Sequence, residues 1–255
     1  MFNIIAKSEE DNEMNIFTFK QEEDFIQTGA SLIVSLIQGN PKAILGLATG
    51  SSPLGVYARL ADMYTKGLVS FTEASSYNLD EYVGLPGEHP QSYNSFMKQH
   101  LFNHIDIDST RTHIPNGHAD DLQAECQSYD LMLEQNGPVD LQLLGIGSNG
   151  HIGFNEPDDN LSGGTHVVDL LEETIEANAR FFTSLDEVPK QAITMGVGSI
   201  MKARQIVLLA RGTDKAEAVK AALQGPITTE CPASLLQCHP NVIVLLDEEA
   251  GRLLS

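Results

Sequence analysis

One imidazole and one carboxylate share a glycine-rich stretch, Gly145-Ile146-Gly147-Ser148-Asn149-Gly150-His151-Ile152-Gly153-Phe154-Asn155-Glu156-Pro157. Glycine tolerates positive φ and lets the backbone come close to a ligand. His151, Glu156 and Asn149 in such a loop suit acid–base chemistry, in which a positioned side chain moves a proton on or off a reacting group. The apolar run Val139-Asp140-Leu141-Gln142-Leu143-Leu144 precedes the loop and reads as a buried strand. Loops at the carboxyl ends of strands are where open α/β sheets bind ligands.

A second pair of acids, Asp80 and Glu81, follows a strand read over Glu73–Leu79. Neighbours in an extended chain point to opposite faces, so at most one of the two faces a cleft. A third feature is Thr49-Gly50-Ser51-Ser52-Pro53, between a strand over Ala43–Ala48 and a helix running to about Lys66. Backbone N–H groups and a helix N-terminus there suit an anion, and no Gly-Lys-Ser/Thr follows as in a nucleotide P-loop. Ser52 and Pro53 also read as the N-cap and first residue of that helix. Gly212-Thr213-Asp214-Lys215 repeats the strand–glycine–helix pattern with a lysine. His100 and His104 stand four apart on a helix read over Gln91–His104. No third ligand accompanies them, and no metal is expected.

Positioning these groups requires alternating strands and helices. Met14–Phe19, Gln205–Ala210 and Val242–Leu246 read as further strands, and Phe25, Ile33, Leu36 and Ile37 lie on a helix that Asn40-Pro41 ends. Asp120–Gln135, Val197–Lys202, the stretch from Gly212 to Leu223 and Pro232–Gln237 read as helices, with a short one opening at Asp247. Cys126 is expected to pack as a small apolar residue. Residues 1–13 read as a loose N-terminal extension, and 14–255 as one domain with a lid segment near 160–190, helical over Thr174–Phe182. Apolar strands alternating with helices indicate a parallel sheet covered on both faces.

Of 255 residues, 42% are hydrophobic, enough for a sizeable single core. No run is long enough to span a bilayer and no signal peptide is apparent. Three cysteines without a CxxC pair suit a reducing, cytoplasmic location. A net charge of -20 argues against nucleic acid as partner. An anionic metabolite would need local cations.

In several of these motifs the chain resembles the glucosamine-6-phosphate deaminases. The matching pieces are Gly46-Leu47-Ala48-Thr49-Gly50-Ser51-Ser52-Pro53, Asn78-Leu79-Asp80-Glu81-Tyr82-Val83-Gly84-Leu85, Ser92-Tyr93, Gly150–Pro157, Ala179-Arg180-Phe181-Phe182 and Lys215-Ala216. The resemblance implies a three-layer α/β/α sandwich with a mostly parallel, modified Rossmann-like sheet. It implies conversion of glucosamine 6-phosphate and water to fructose 6-phosphate and ammonium, without metal or organic cofactor. Asp80 would then be the base working between C2 and C1. His151 would open the ring, with Glu156 and Asn149 orienting it. Thr49, Gly50, Ser51, Ser52, Arg180 and Lys215 would hold the phosphate.

The chain departs from the family pattern at Asn149, where many members carry Asp, and at Ser51, where many carry Gly. Gly164-Thr165-His166-Val167-Val168 lacks the basic residues with which allosteric members hold N-acetylglucosamine 6-phosphate. The expectation is therefore the compact, non-allosteric branch, as monomer or homo-oligomer. The competing readings are a 6-phosphogluconolactonase-like hydrolase and a sugar-phosphate-sensing module of the same fold.

Overall fold

Pairing of the apolar runs produces one eight-stranded sheet in the computed structural model, which describes residues 3–5 and 14–254. The strands are β1 (Asn3–Ile5), β2 (Met14–Phe19), β3 (Ile44–Leu47), β4 (Ser75–Asn78), β6 (Thr112–His113), β7 (Leu141–Leu144), β10 (Ile206–Ala210) and β11 (Val242–Asp247). Their spatial order is β1-β2-β11-β10-β7-β3-β4-β6, and all neighbours are parallel except β1 and β2. Three further strands, β5 (Asp80–Tyr82), β8 (His166–Asp169) and β9 (Gln191–Thr194), form a small antiparallel sheet ordered β5-β9-β8.

Side chains alternate across the main sheet and bury both faces. On one face Leu45, Leu47, Leu141, Leu143, Val207 and Leu209 pack against α1 (Glu22–Gly39), α2 (Leu54–Thr65) and α3 (Tyr93–His100). On the other, Leu144, Leu208, Val244 and Leu246 meet α4 (Leu122–Asn136), α6 (Val197–Ile200) and α7 (Ala216–Gln224). This is the three-layer sandwich expected from uninterrupted apolar strands, which need cover on both sides. Local chemistry sets the helix ends. Three acids (Glu22, Glu23, Asp24) open α1, where they favour the helix dipole. Ser92 accepts from Ser95 N at 3.0 Å, and Asp121 caps α4 through Gln123 N and Ala124 N. Cys126 is fully buried on α4, as expected.

Several boundaries differ from those read in the sequence. The Gln91–His104 helix is shorter: at Leu101 the backbone leaves the helical region and the side chain enters the core, and a separate 3-10 turn follows at Phe102–His104. Ser52 does not cap α2; Pro53 takes that position, already in helical backbone, and its carbonyl accepts from Tyr57 N. No helix opens at Asp247, whose carboxylate instead accepts from Gly212 N and Ala250 N and holds the chain in turns. β8 and β9 fall in or beside the segment read as a lid; four residues of mixed polarity carry too little alternation to mark a strand. α5 (Glu172–Asn178) and a 3-10 turn at Ala179–Phe181 occupy the stretch read as helical. Of the extension over residues 1–13, Asn3–Ile5 pairs as the edge strand, and the remainder lies outside the described residues.

The order of the sheet places the site. The chain leaves β3 toward β4 on one side and leaves β7 toward β10 on the other. Two adjacent strands whose following loops diverge leave a crevice at their carboxyl ends, the usual ligand position in such sheets.

Candidate active site

A cavity of about 440 Å³ opens at that crevice. Its walls are the loops after β3 and β7, the start of β5, the residues following β10, and α5 with the turn beyond it.

Asp80 enters where the chain passes from β4 into the small sheet. Its neighbour Leu79 accepts from Met195 N, and Asp80 pairs in register with Thr194. Asp80 lines the cavity although it is nearly buried. Burial, and then the charge of Glu81, push its carboxyl up to about 8. Glu81 points the other way. Its carboxylate accepts from Tyr82 N, Tyr93 N and Asn94 N, tying β5 to the first turn of α3. So one acid of the pair faces the cleft and the other supports a helix end, as alternation requires.

His151 lines the same cavity. Its Nδ1 lies 2.8 Å from Asn149 Oδ1 and 3.2 Å from Glu156 Oε2. Both partners are acceptors, so Nδ1 carries the proton and Nε2 is the nitrogen left for a ligand. Asn149 bridges the pair, donating through Nδ2 to Glu156 Oε2 at 2.9 Å. The Thr174 hydroxyl donates to the other oxygen, Glu156 Oε1. Burial would raise Glu156, but the hydrogen bond and charge of His151, with the Thr174 and Asn149 donors, outweigh it and hold the carboxyl below its usual range. Gly147 makes room for the ring: a Cβ there would lie 2.3 Å from the imidazole. Asn155 serves the loop rather than the cavity, donating to the Ile152 and Met195 carbonyls.

The same cavity is also lined by the loop Thr49–Ser52, with Gly50 at φ 92°, and by three cations, Arg180, Arg211 and Lys215. Gly212 adopts φ 94° and is fixed by Asp247, which sets the turn that carries Lys215 into the cavity wall. Lys215 Nζ is 3.3 Å from Asp214 Oδ2. These groups supply the positive charge that the acidic whole lacks, and a phosphate is the ligand that such a loop with cations in the same cavity suits.

This arrangement coincides with sequence relationships. Residues 21–244 match the family described as glucosamine-6-phosphate isomerases/6-phosphogluconolactonase. The chain belongs to that family. It is 53% identical over 242 residues to the glucosamine-6-phosphate deaminase of Clostridium perfringens, covering 95% of this chain and all of that one. It is 50% identical over 241 residues to the glucosamine-6-phosphate deaminase of Halothermothrix orenii, covering 94% of this chain and all of its relative. Among solved structures, one described as a monomeric glucosamine-6-phosphate deaminase superposes with a TM-score of 0.91 at 46% identity, over 93% of this chain and 99% of that one. The 6-phosphogluconolactonase of Thermotoga maritima shares the fold, with a TM-score of 0.72 at 18% identity, over 91% of this chain and 98% of that one.

Within this glucosamine-6-phosphate isomerase/6-phosphogluconolactonase family member, Thr49, Gly50, Ser51, Ser52, Asp80, His151, Arg180 and Lys215 all line one cavity. Asn149 and Glu156 stand behind His151 and reach the cavity through it. Three residues of the candidate site carry no assigned role in the sequence patterns above. Tyr93, partly buried in the wall, stacks on Phe154 with ring centroids 6.0 Å apart, and Ser92-Tyr93 carried resemblance without a role. Arg211 is the residue just before Gly212, at the carboxyl end of β10, a position that could have flagged it. Its guanidinium pairs with Glu22 at 2.7 Å and lies over Phe25, so it also fastens α1 to the cavity mouth. Thr174 had no local signal, because its partner is eighteen residues away. His100 and His104 play no part: His100 packs against Phe96 and His104 meets the Gln99 carbonyl.

The bridge at position 149 has a testable consequence. Asn149 donates to Glu156, whereas an aspartate would place a second carboxylate within hydrogen-bond distance of it. Two such groups cannot both ionise easily, and one is pushed up. Asn149→Asp is expected to retain turnover while its kcat, measured at saturating substrate, falls off at higher pH on the acid side than in the native enzyme. Rates at saturating substrate from pH 5 to 9 check this; superimposable acid limbs would show that the bridge does not tune Glu156.

Proposed function

We infer that this chain is a glucosamine-6-phosphate deaminase: it converts glucosamine 6-phosphate and water to fructose 6-phosphate and ammonium, a step of amino-sugar catabolism. The carrying observation is that one cavity brings together a buried carboxylate, Asp80, an imidazole backed by a carboxylate, His151, and a cationic loop cradle.

Each group has a task in this reading. The cradle of Thr49, Gly50, Ser51 and Ser52 with Arg180 and Lys215 holds the phosphate. His151 Nε2 takes the proton of the anomeric hydroxyl and returns it to the ring oxygen, so the C1–O5 bond breaks and an aldehyde forms. Nδ1, bonded to Asn149 and facing Glu156, fixes the tautomer and steadies the transient imidazolium, the role a carboxylate has behind a catalytic histidine. Asp80 takes the proton from C2 while one ammonium proton passes to the C1 oxygen, giving an enolamine; Asp80 then delivers its proton to C1, leaving a protonated imine at C2. Water adds to that carbon and ammonia leaves, protonated to ammonium. The segment 160–190 acts as the lid, since Glu173, Thr174, Asn178 and Arg180 line the cavity. Similarity to a structure described as monomeric supports activity as a single chain. The free cysteines Cys126, Cys231 and Cys238 suit the reducing cytoplasm, and no described helix is long and apolar enough to cross a membrane.

The elevated Asp80 carboxyl makes the pH dependence specific. A base must be ionised, so kcat/KM is expected to climb with pH until about 8, where Asp80 of the empty site loses its proton. A cationic substrate amine beside it favours the carboxylate, so kcat should level off at lower pH than kcat/KM. Rates measured at limiting and saturating substrate separate the two; coincident profiles would argue against a substrate cation beside Asp80. The reaction itself is tested by parallel assay of ammonium and fructose 6-phosphate from glucosamine 6-phosphate. Equal release is expected. Binding without products would favour a sensor, and opening of 6-phosphogluconolactone alone would favour a lactonase.

A further inference from the structure

Helix α5 places two consecutive side chains against the loop that holds the imidazole. Ser148 donates its hydroxyl to Glu173 Oε1 at 3.0 Å, and Thr174 donates to Glu156 Oε1. Thr174 is buried there, whereas Glu173 is exposed. The same helix then runs directly into the turn that carries Arg180, and Asn178 and Arg180 both line the cavity. Asn178 also meets the Tyr82 side chain. A single short element therefore touches the imidazole's carboxylate at one end and the proposed phosphate cradle at the other.

The geometry at Glu156 shows what the contact does. One oxygen, Oε2, faces His151 Nδ1 and Asn149 Nδ2; the other, Oε1, receives the Thr174 hydroxyl. With both oxygens engaged the plane of the carboxylate is set, and with it the direction in which it holds the ring. With Oε1 unpartnered, the carboxylate can rotate or draw in water, because a buried charged oxygen is costly to leave bare. We propose that Thr174 is a positioning residue for the His151–Glu156 pair, and that phosphate seated at Arg180 holds α5 in the docked position seen here, in which Thr174 completes the hydrogen bonding of Glu156. The grip on the phosphate and the competence of the imidazole are thereby one event. Binding a part of the substrate far from the reacting carbons then organises the reacting end, which is how remote binding interactions raise turnover. This inference rests on the reaction proposed above.

Separating the phosphate from the sugar tests the coupling. Turnover of phosphate-free glucosamine is measured with and without phosphite dianion, in the native enzyme, Thr174→Val and Thr174→Ser. Valine keeps the shape and removes the donor; serine restores the donor. In the native enzyme saturating phosphite is expected to speed glucosamine turnover about tenfold or more, a change of ~1.4 kcal/mol in the barrier. In Thr174→Val the activation should shrink to less than about twofold, although phosphite still competes with glucosamine 6-phosphate, and Thr174→Ser should recover most of it. A residue that only stabilised α5 would lower basal and activated rates in proportion and leave their ratio unchanged. Equal activation ratios in Thr174→Val and the native enzyme would overturn the proposal, as would no activation of the native enzyme. If thermal unfolding shows the valine variant to be unfolded, Thr174→Ala carries the same comparison. Failure of the native enzyme to release ammonium from glucosamine 6-phosphate would instead refute the reaction on which the inference rests.

Discussion

Replacing Asp80 with asparagine is expected to cut turnover of glucosamine 6-phosphate by about 10⁴-fold, the upper range for loss of a general base. Asparagine has nearly the same shape and cannot accept the C2 proton. Sugar-phosphate binding should persist, because the cradle of Thr49–Ser52, Arg180 and Lys215 is built from other elements. The change also has a signature in stability. The carboxyl of folded Asp80 lies at about 8, above its value in the unfolded chain. Its contribution to stability is therefore fully present below the unfolded value and is lost as pH rises through about 8, where folding must accommodate a buried charge. Asp80→Asn removes that ionisation, so the variant should gain in Tm relative to the native protein as pH is raised from 6 to 9. Melting curves across that range, read beside the kinetics, test both parts. A variant with near-native turnover, or one whose Tm difference is flat with pH, would remove Asp80 from the role of buried base.

The second large effect is expected at His151. His151→Ala should lower turnover by about 10²- to 10³-fold, within the usual range for a lost acid–base group, and leave residual activity because the pyranose also opens unaided. Competition by inorganic phosphate should stay within about twofold of native, since the cradle is on other loops. The partner left behind supplies a further readout. Glu156 is held low against the effect of burial chiefly by His151, with Thr174 and Asn149 helping. Its contribution to stability is present above the unfolded carboxyl value and is lost as pH falls through the folded one. Without His151 that depression weakens, so the variant should lose stability near neutral pH relative to native and the deficit should narrow as the solution is acidified. An open-chain alditol phosphate, which needs no ring opening, should bind the variant as well as it binds the native enzyme. Equal loss of binding and turnover would mean that His151 holds the loop together and does not act on the sugar.

Much of the site was legible because its chemistry is carried by local motifs. A glycine loop after an apolar strand contains His151, Asn149 and Glu156 within eight residues, so their proximity needed only a tight turn. Thr49–Ser52 and Lys215 each follow a strand in a parallel sheet, and all such strands end on the same side. The strand–helix alternation and continuous apolar runs determined the three layers, because a strand apolar on both faces must be covered on both. The -20 net charge already required that any phosphate site be a local concentration of cations.

The tertiary structure decided what depends on contacts between distant segments. Alternation said that only one of Asp80 and Glu81 faces a cleft; which one was settled by α3, whose first N–H groups capture Glu81 and leave Asp80 to the cavity. The small sheet β5-β9-β8 was invisible because short strands of mixed polarity acquire their pattern from partners rather than from their own order. Arg211 became a cavity cation only when α1 packed beside β11 and offered it Glu22 and Phe25. Thr174 reached Glu156 only because the chain folded back across the loop. The sequence by itself determined which groups the protein has for chemistry and on which side of the sheet they gather, since strand direction and loop composition are local properties. How those groups are aimed and ionised was decided by burial and by hydrogen-bond partners brought from far along the chain.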